Sequence, residues 1–336
     1  MLHRQATNAI ICKNIVARIG DGGCVIDTEY FTLHSLCEGV YAAIAKPGQG
    51  AWSNAGIVDL GDELLVFDAL GTPSAGKELR CQAENITGKK VKYLINSHYH
   101  GDHVFGNQVF MDTTIIATSL THKWCEEKNK IDDVEKEERG MEHYLLKLNN
   151  QIDATDDAIL KKSLINQFNE MSKVLRDLHN MNILLPSVLF EEKLIIKGAS
   201  RSVELYCLGG GHSPSDTFMY LPTEKIAFMG DLITEDLHVP IYDSTEFLSI
   251  LQVVKQMDIE MMVPGHGGIG RMAMCDTILD YLSLLIQRAT EAHHSKITRE
   301  DFIADFEIPI QYQQWQGVNG IKANLSKVYT DLQPTR

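Results

Sequence analysis

Four side chains able to bind a metal fall within the six residues His98-Tyr99-His100-Gly101-Asp102-His103. The run follows Val91 to Asn96, an apolar stretch that reads as a strand, so it sits at a strand's C-terminal end. Two-residue spacing puts His98 and His100 on one face of an extended segment. Gly101 lets the chain turn, so Asp102 and His103 approach from another direction, at the start of a short helix over 103–109. One segment can then offer two ligands to each of two cations. Neutral imidazoles with a carboxylate suit zinc, and also iron, manganese or cobalt.

Three more candidates lie at the ends of expected strands. His212 follows the run Val203 to Leu208 and the turn Gly209-Gly210-Gly211. Asp231 follows Ile226 to Gly230, and His266 follows Met261 to Gly265. Asp231 has the chemistry to bridge two cations, since a carboxylate offers two oxygens and offsets both charges.

The flanking pattern points to an α/β architecture of two sheets covered by helices. Strands are expected at Ile15–Ile19, Gly23–Ile26, Val40–Ala45, Ala55–Asp59, Leu64–Asp68, Val91–Asn96 and Thr113–Ala117. Later strands fall at Leu194–Lys197, Val203–Leu208, Thr217–Leu221, Ile226–Met229 and Met261–Val263. A helix begins at Pro73 behind a Thr72 cap, and another covers Thr245–Met257. Residues 119–182 are charged and helical in period, with Leu145, Leu148, Leu164, Phe168, Met171, Val174 and Leu178 on the apolar side. They read as an insertion of two or three helices. The apolar stripe fits a roof over the site, a homodimer interface or plain core packing equally well. Helices at 272–297, 299–306 and 322–332 make a C-terminal extension over 271–336, and the whole of 1–336 reads as one domain.

Composition narrows the function classes. The net charge of −14 argues against a nucleic-acid partner and leaves a small-molecule substrate. No stretch approaches the roughly 18 apolar residues of a membrane span. Met1 to Lys13 has no long apolar segment and no small-residue cleavage site, so a cytoplasmic location is expected. The seven cysteines are scattered without CxxC spacing and read as buried reduced thiols, with Cys207 near the expected site.

The ligand set resembles that of the metallo-beta-lactamase fold hydrolases: HxHxDH, a distant His, a distant Asp or Cys, and a final His. Here it reads His98, His100, Asp102, His103, His212, Asp231, His266, complete in type and order. The segments LVFDAL at 65–70, GGGHSPSDT at 209–217, AFMGDLI at 227–233 and VPGHG at 263–267 are similar to the family as well. The resemblance implies a four-layer αβ/βα sandwich with a helical insertion and C-terminal helices. It implies two divalent ions, zinc first and iron or manganese as alternatives. His98, His100 and His212 would hold one ion and Asp102, His103 and His266 the other, with Asp231 bridging. A metal-bridging hydroxide is the nucleophile this implies, and Asp102 its proton carrier. Asp68 is in the place of a residue that fixes a ligand histidine's tautomer.

The aspartate at 231 stands where subclass B1 beta-lactamases carry a cysteine. That favours the lactonases and the glyoxalase II-type thioesterases, and hence hydrolysis of an ester, lactone or thioester. The alternatives are beta-lactam or amide hydrolysis, phosphodiester hydrolysis, and a diiron oxidoreductase or non-catalytic metal-binding protein. Tyr99 and Trp52, the latter in a flap with Pro47 to Ala51, are candidate pocket walls, and His238 and Tyr242 are candidates to reach the pocket. Ser213 and Asp216 are candidate caps for the chain after His212.

Overall fold

The computed structural model describes residues 15–18, 24–317 and 320–332. Nine strands form the first sheet in chain order: β1 (Ile15–Arg18), β2 (Cys24–Asp27), β3 (Phe31–Cys37), β4 (Val40–Ala45), β5 (Ala55–Asp59), β6 (Leu64–Phe67), β7 (Val91–Ile95), β8 (Thr114–Thr118) and β9 (Val188–Phe190). Five form the second: β10 (Lys193–Lys197), β11 (Ser202–Cys207), β12 (Thr217–Leu221), β13 (Ile226–Phe228) and β14 (Met261–Val263). Pairing is antiparallel up to β6, and β6 to β9 run parallel. In the second sheet only β13 and β14 run parallel. β6 reads Leu-Leu-Val-Phe and is buried throughout, as a strand covered on both faces must be.

Three apolar clusters define four layers. Helix α1 (Pro73–Thr87) covers the outer face of the first sheet, where Leu79 and Ala83 meet Ile57, Val66 and Leu94. Between the sheets, Val58, Leu65, Phe67 and Ile95 pack on Val203, Leu205, Met219 and Phe228. A Cβ at Gly56 would fall 2.6 Å from the Phe228 ring, so this glycine lets the sheets close. The second sheet's outer face is covered by the tail. The helices α2 (Gly101–Val104), α3 (Ser119–Lys128), α4 (Val134–Ala154), α5 (Ala158–Asp177), α6 (Ser244–Val254), α7 (Ala273–His294), α8 (Arg299–Ala304) and α9 (Gly320–Asp331) complete the described chain. Phe247, Tyr281, Leu285, Leu325 and Val328 from α6, α7 and α9 share one core with Phe218 and Met262. This is the four-layer sandwich expected. Among the described residues, no helix is long and apolar enough to cross a membrane.

The insertion is three helices, α3 to α5, between β8 and β9. Each starts on a side-chain cap, from Thr118, Asp133 and Asp157. Several expectations are corrected. β3 was not anticipated: only Phe31 and Leu33 alternate inward, and the rest of the strand is polar or half-buried. β9 is three residues long, too short to show a period. The helix expected over 103–109 splits into α2 and a 3-10 turn at Asn107–Phe110. Cys37, Cys125, Cys207 and Cys275 are free, but Cys81 is disulfide-bonded. Ile19, Gly23 and Cys12 lie outside the described residues.

Candidate metal centre

The chemistry-bearing residues sit just past the C-terminal ends of β6, β7, β11, β13 and β14, along one rim where the two sheets meet. His98, His100, His212 and Asp231 form one group whose ligand-type atoms lie within 4.8 Å of one another, and Asp102, His103 and His266 form a second. All seven candidates are therefore brought together. Asp231 faces both groups: its Oδ2 lies 3.4 Å from His212 Nε2 and 3.3 Å from His266 Nε2, and its Oδ1 lies 3.3 Å from His103 Nε2. Asp102 Oδ2 stands 3.2 Å from His266 Nε2 and 3.6 Å from His103 Nε2.

Outward partners fix which ring nitrogen faces inward. His212 Nδ1–H donates to the Pro240 carbonyl at 2.8 Å, and His266 Nδ1–H donates to the Trp52 carbonyl at 3.0 Å. His103 Nδ1–H donates to Asp68 Oδ2 at 2.8 Å, while Asp68 Oδ1 accepts from the Ser97 backbone N–H. His98 Nδ1 pairs with Ser97 Oγ at 3.0 Å. A carbonyl can only accept, so the inward Nε2 of His212 and His266 carries the lone pair in the neutral ring. His100 turns Nδ1 inward instead, 3.0 Å from His98 Nε2 and 2.9 Å from His212 Nε2.

This arrangement fits a divalent cation. Imidazole nitrogens crowd toward a common point. His103 Nε2 and Asp231 Oδ1 are buried facing each other at 3.3 Å with no well-formed hydrogen bond, which is costly unless something else satisfies them. Burial, reinforced by the neighbouring imidazoles, keeps His98 neutral and lowers His100 to about 3, so both stay in the ligating form. Burial also opposes charge on His266, but Asp231 and Asp102 outweigh it and raise its pKa to about 10 in the absence of a cation. Asp102 is driven the other way: burial would raise it, but His103 and His266 hold it down at about 2.

Asp216 organises the loop that presents His212. Its carboxylate accepts from the backbone N–H groups of Gly211, His212 and Ser213, and from Ser213 Oγ at 2.6 Å. Both residues are thus caps, as expected. The Cys207 thiol, near this loop, is pushed up by burial and pairs with Ser215 Oγ at 3.4 Å. It belongs to neither candidate ligand group.

A cavity of about 420 Å³ opens beside His266. Its walls are the flap (Pro47 and Trp52), the segment Glu235 to Leu237, Gln316 and Gly317, and helix α5 from Lys162 to Glu170. The insertion therefore reaches the site. Glu170, buried, accepts from the Gly48 N–H at 2.6 Å and the Gly50 N–H at 2.7 Å, tying α5 to the flap. Both glycines hold positive φ, and a Cβ on either would come within 3.0 Å of α5 side chains. Tyr99 packs its ring 4.5 Å from that of His100 and 5.4 Å from that of Trp124. His238 instead turns into the tail core, 3.0 Å from the Tyr281 hydroxyl, and neither it nor Tyr242 lines the cavity.

Sequence reasoning missed Glu170, Trp124 and Asn54. Asn54 donates to the Pro264 and Gly267 carbonyls and so fixes the His266 turn from the flap side. The only sequence signal for Glu170 was an acidic residue beside the apolar stripe of α5, which a solvated position would show equally.

Fold and site together define a layered α/β protein with a His/Asp cluster that fits divalent metal, on the rim between two sheets. The chain belongs to the metallo-beta-lactamase superfamily, whose family pattern matches residues 52–266. No curated protein matches the sequence. Among solved structures, the chain is similar to a metallo-beta-lactamase from Pontibacter korlensis, at 16% identity and a TM-score of 0.52, covering 81% of this chain and 99% of that one. It is also similar to the stereoselective inverting sec-alkylsulfatase Pisa1 from Pseudomonas sp., at 14% identity and a TM-score of 0.63 over 90% of this chain. A double mutant of that sulfatase gives 16% identity and a TM-score of 0.64. The chain spans about half the length of the sulfatase, 50% and 49% in the two structures. At these identities the likeness is one of fold.

Proposed function

We propose that this protein is a metal-dependent hydrolase acting on an ester, lactone or thioester. The observation that carries the reading is the inward set of nitrogens and carboxylates around Asp231, where the buried His103 Nε2 and Asp231 Oδ1 face each other without a well-formed hydrogen bond. In this reading His98, His100 and His212 would hold one ion and Asp102, His103 and His266 a second, with Asp231 facing both groups. Zinc is the first choice by donor type, with iron and manganese accepting the same set. Bound divalent ions lower the pKa of water and polarise the carbonyl under attack.

The side chains divide the remaining work. Asp102 is an ionised carboxylate at neutral pH, close to His103 and His266. It accepts the proton released by the attacking water and returns it to the departing oxygen or sulfur, so that water adds across the broken acyl bond. Asp68, Ser97, Pro240 and Trp52 keep the rings oriented.

Charge favours a neutral acyl substrate over an anionic ester. Among the described residues lining the cavity, Lys162 is the only Lys or Arg, against the exposed carboxylates of Glu235 and Asp236. A phosphodiester or sulfate ester calls for the clamp of Arg or Lys that such groups are bound by, and this wall does not provide one. The test is a turnover screen of metal-defined protein against lactones, thioesters, aryl esters, beta-lactams, phosphodiesters and secondary alkyl sulfates. Esters, lactones or thioesters are expected to give the highest kcat/KM, lost on chelation and restored by zinc. A higher kcat/KM for a phosphodiester or sulfate would overturn the reading.

A further inference from the structure

We propose that the cavity between α5 and the segment Glu235 to Leu237 is the specificity subsite of this centre, and that it takes an uncharged apolar chain on the non-reacting part of the substrate. The inference rests on the hydrolase reading for its reacting end. Its own support is independent: the shape, polarity and origin of the walls.

Apolar side chains including Ile44, Pro47, Trp52, Ile165 and Leu237 line this cavity beside uncharged amides such as Asn166 and Gln316. Ile165 is 42% exposed on α5, on the side of the helix that lines the cavity. A scattered apolar residue on a surface means little. Several around one concave space that ends at a candidate ligand, His266, are the usual form of a small-molecule site. The space of about 420 Å³ lies within the ordinary range for such sites.

Charge decides what the chain carries at its far end. Glu235 and Asp236 are exposed on the wall opposite α5, and Lys162 stands alone against them. Glu235 is held in place by the Gly268 N–H at 2.7 Å. A distal carboxylate, phosphate or sulfonate would meet these two anions. A methyl-terminated chain would cover Ile165 and Leu237 and displace water from them.

The wall is also built to stay put. Glu170 fastens α5 to the flap, and Ser163 Oγ accepts from the Gly317 N–H at 3.1 Å, fastening α5 to the tail. The insertion thus joins two of the three other walls, the flap and the tail.

The test is calorimetric titration of the metal-loaded protein with acetate, hexanoate, octanoate and octanedioate, and of the metal-free protein with 1-hexanol and 1-octanol. Each added methylene should tighten binding by about two- to fourfold in both series. Octanedioate should bind about tenfold more weakly than octanoate at low salt. Ile165→Asn, at an exposed helical position, should flatten the chain-length slope in both series. Asp236→Asn, which keeps a residue type tolerant of the φ of 50° found there, should recover about threefold of the octanedioate deficit. A flat slope in the native protein, or octanedioate binding as tightly as octanoate, would overturn the proposal. The alkanol slope needs no metal, so it tests the cavity even where the turnover screen defeats the hydrolase reading.

Discussion

The Trp52 carbonyl accepts the His266 Nδ1–H at 3.0 Å, and Trp52 holds a left-handed φ of 64° in doing so. That conformation is rare for a bulky residue and costs on the order of 1–3 kcal/mol. The strain sits where a ring must be aimed, while the indole lines the cavity.

Two variants separate these roles. Trp52→Gly and Trp52→Val both remove the indole, but only glycine adopts the backbone turn freely. The valine variant should lose about tenfold or more in metal affinity relative to the glycine variant. Competition with a chromophoric chelator measures this, and equal affinities would show that the carbonyl does not position His266.

Asp102→Asn keeps the shape of the side chain and removes its basicity. Turnover at saturating metal should fall by about 10²- to 10⁴-fold while the far-ultraviolet circular dichroism stays that of the native chain. Near-native kcat would exclude the proton role.

Gly265 does not hold a left-handed φ, so alanine is conformationally allowed there. Its Cβ would nevertheless stand 1.9 Å from Asp231 Oδ1 and 2.7 Å from the Gly230 backbone. Gly265→Ala should displace Asp231, cutting metal affinity by at least about tenfold and stability by about 1–3 kcal/mol. Metal content after dialysis against a weak chelator reads the first effect and urea unfolding the second.

Glu170 supplies a pH dependence. Burial raises its pKa to about 7, against the opposing backbone donors Gly50 and Gly48. Between the unfolded value near 4.5 and this folded value, the native state binds more protons than the unfolded chain. The contribution to stability is therefore fully present below the unfolded value, falls as pH rises toward 7 and is constant above it. In the metal-free protein the native-minus-Glu170→Gln difference in unfolding free energy should drop by about 3 kcal/mol across that window. A flat difference between acid and neutral pH would show that Glu170 titrates normally.

The candidate cluster was legible because ligand-type chemistry is local: His98 to His103 declares itself within six positions, and His212, Asp231 and His266 each follow an apolar strand. Strands buried on one or both faces, such as β4, β5, β12 and β14, fell where their apolar runs lie. β3 did not, because a strand with only Phe31, Leu33 and then half-buried residues lacks a period. The helical stripe of α5 was visible, but which neighbour it covers was not. That depends on contacts such as Glu170 with Gly48 and Gly50, some 120 residues apart, which leave no local trace. His238 was misread for the same reason: its partner Tyr281 comes from α7.

The candidate ligands divide between the sheets, with His98 to His103 on the end of the first and His212, Asp231 and His266 on the ends of the second. An ion held across that division is a cross-link that exists only in the native state. Binding and folding are then linked: at a free-metal concentration one hundred times the dissociation constant, each ion adds about 2.7 kcal/mol to the native state. The melting temperature becomes a gauge of metal supply, so that loss of metal would lower the stability of the native chain as well as any activity that depends on the ion.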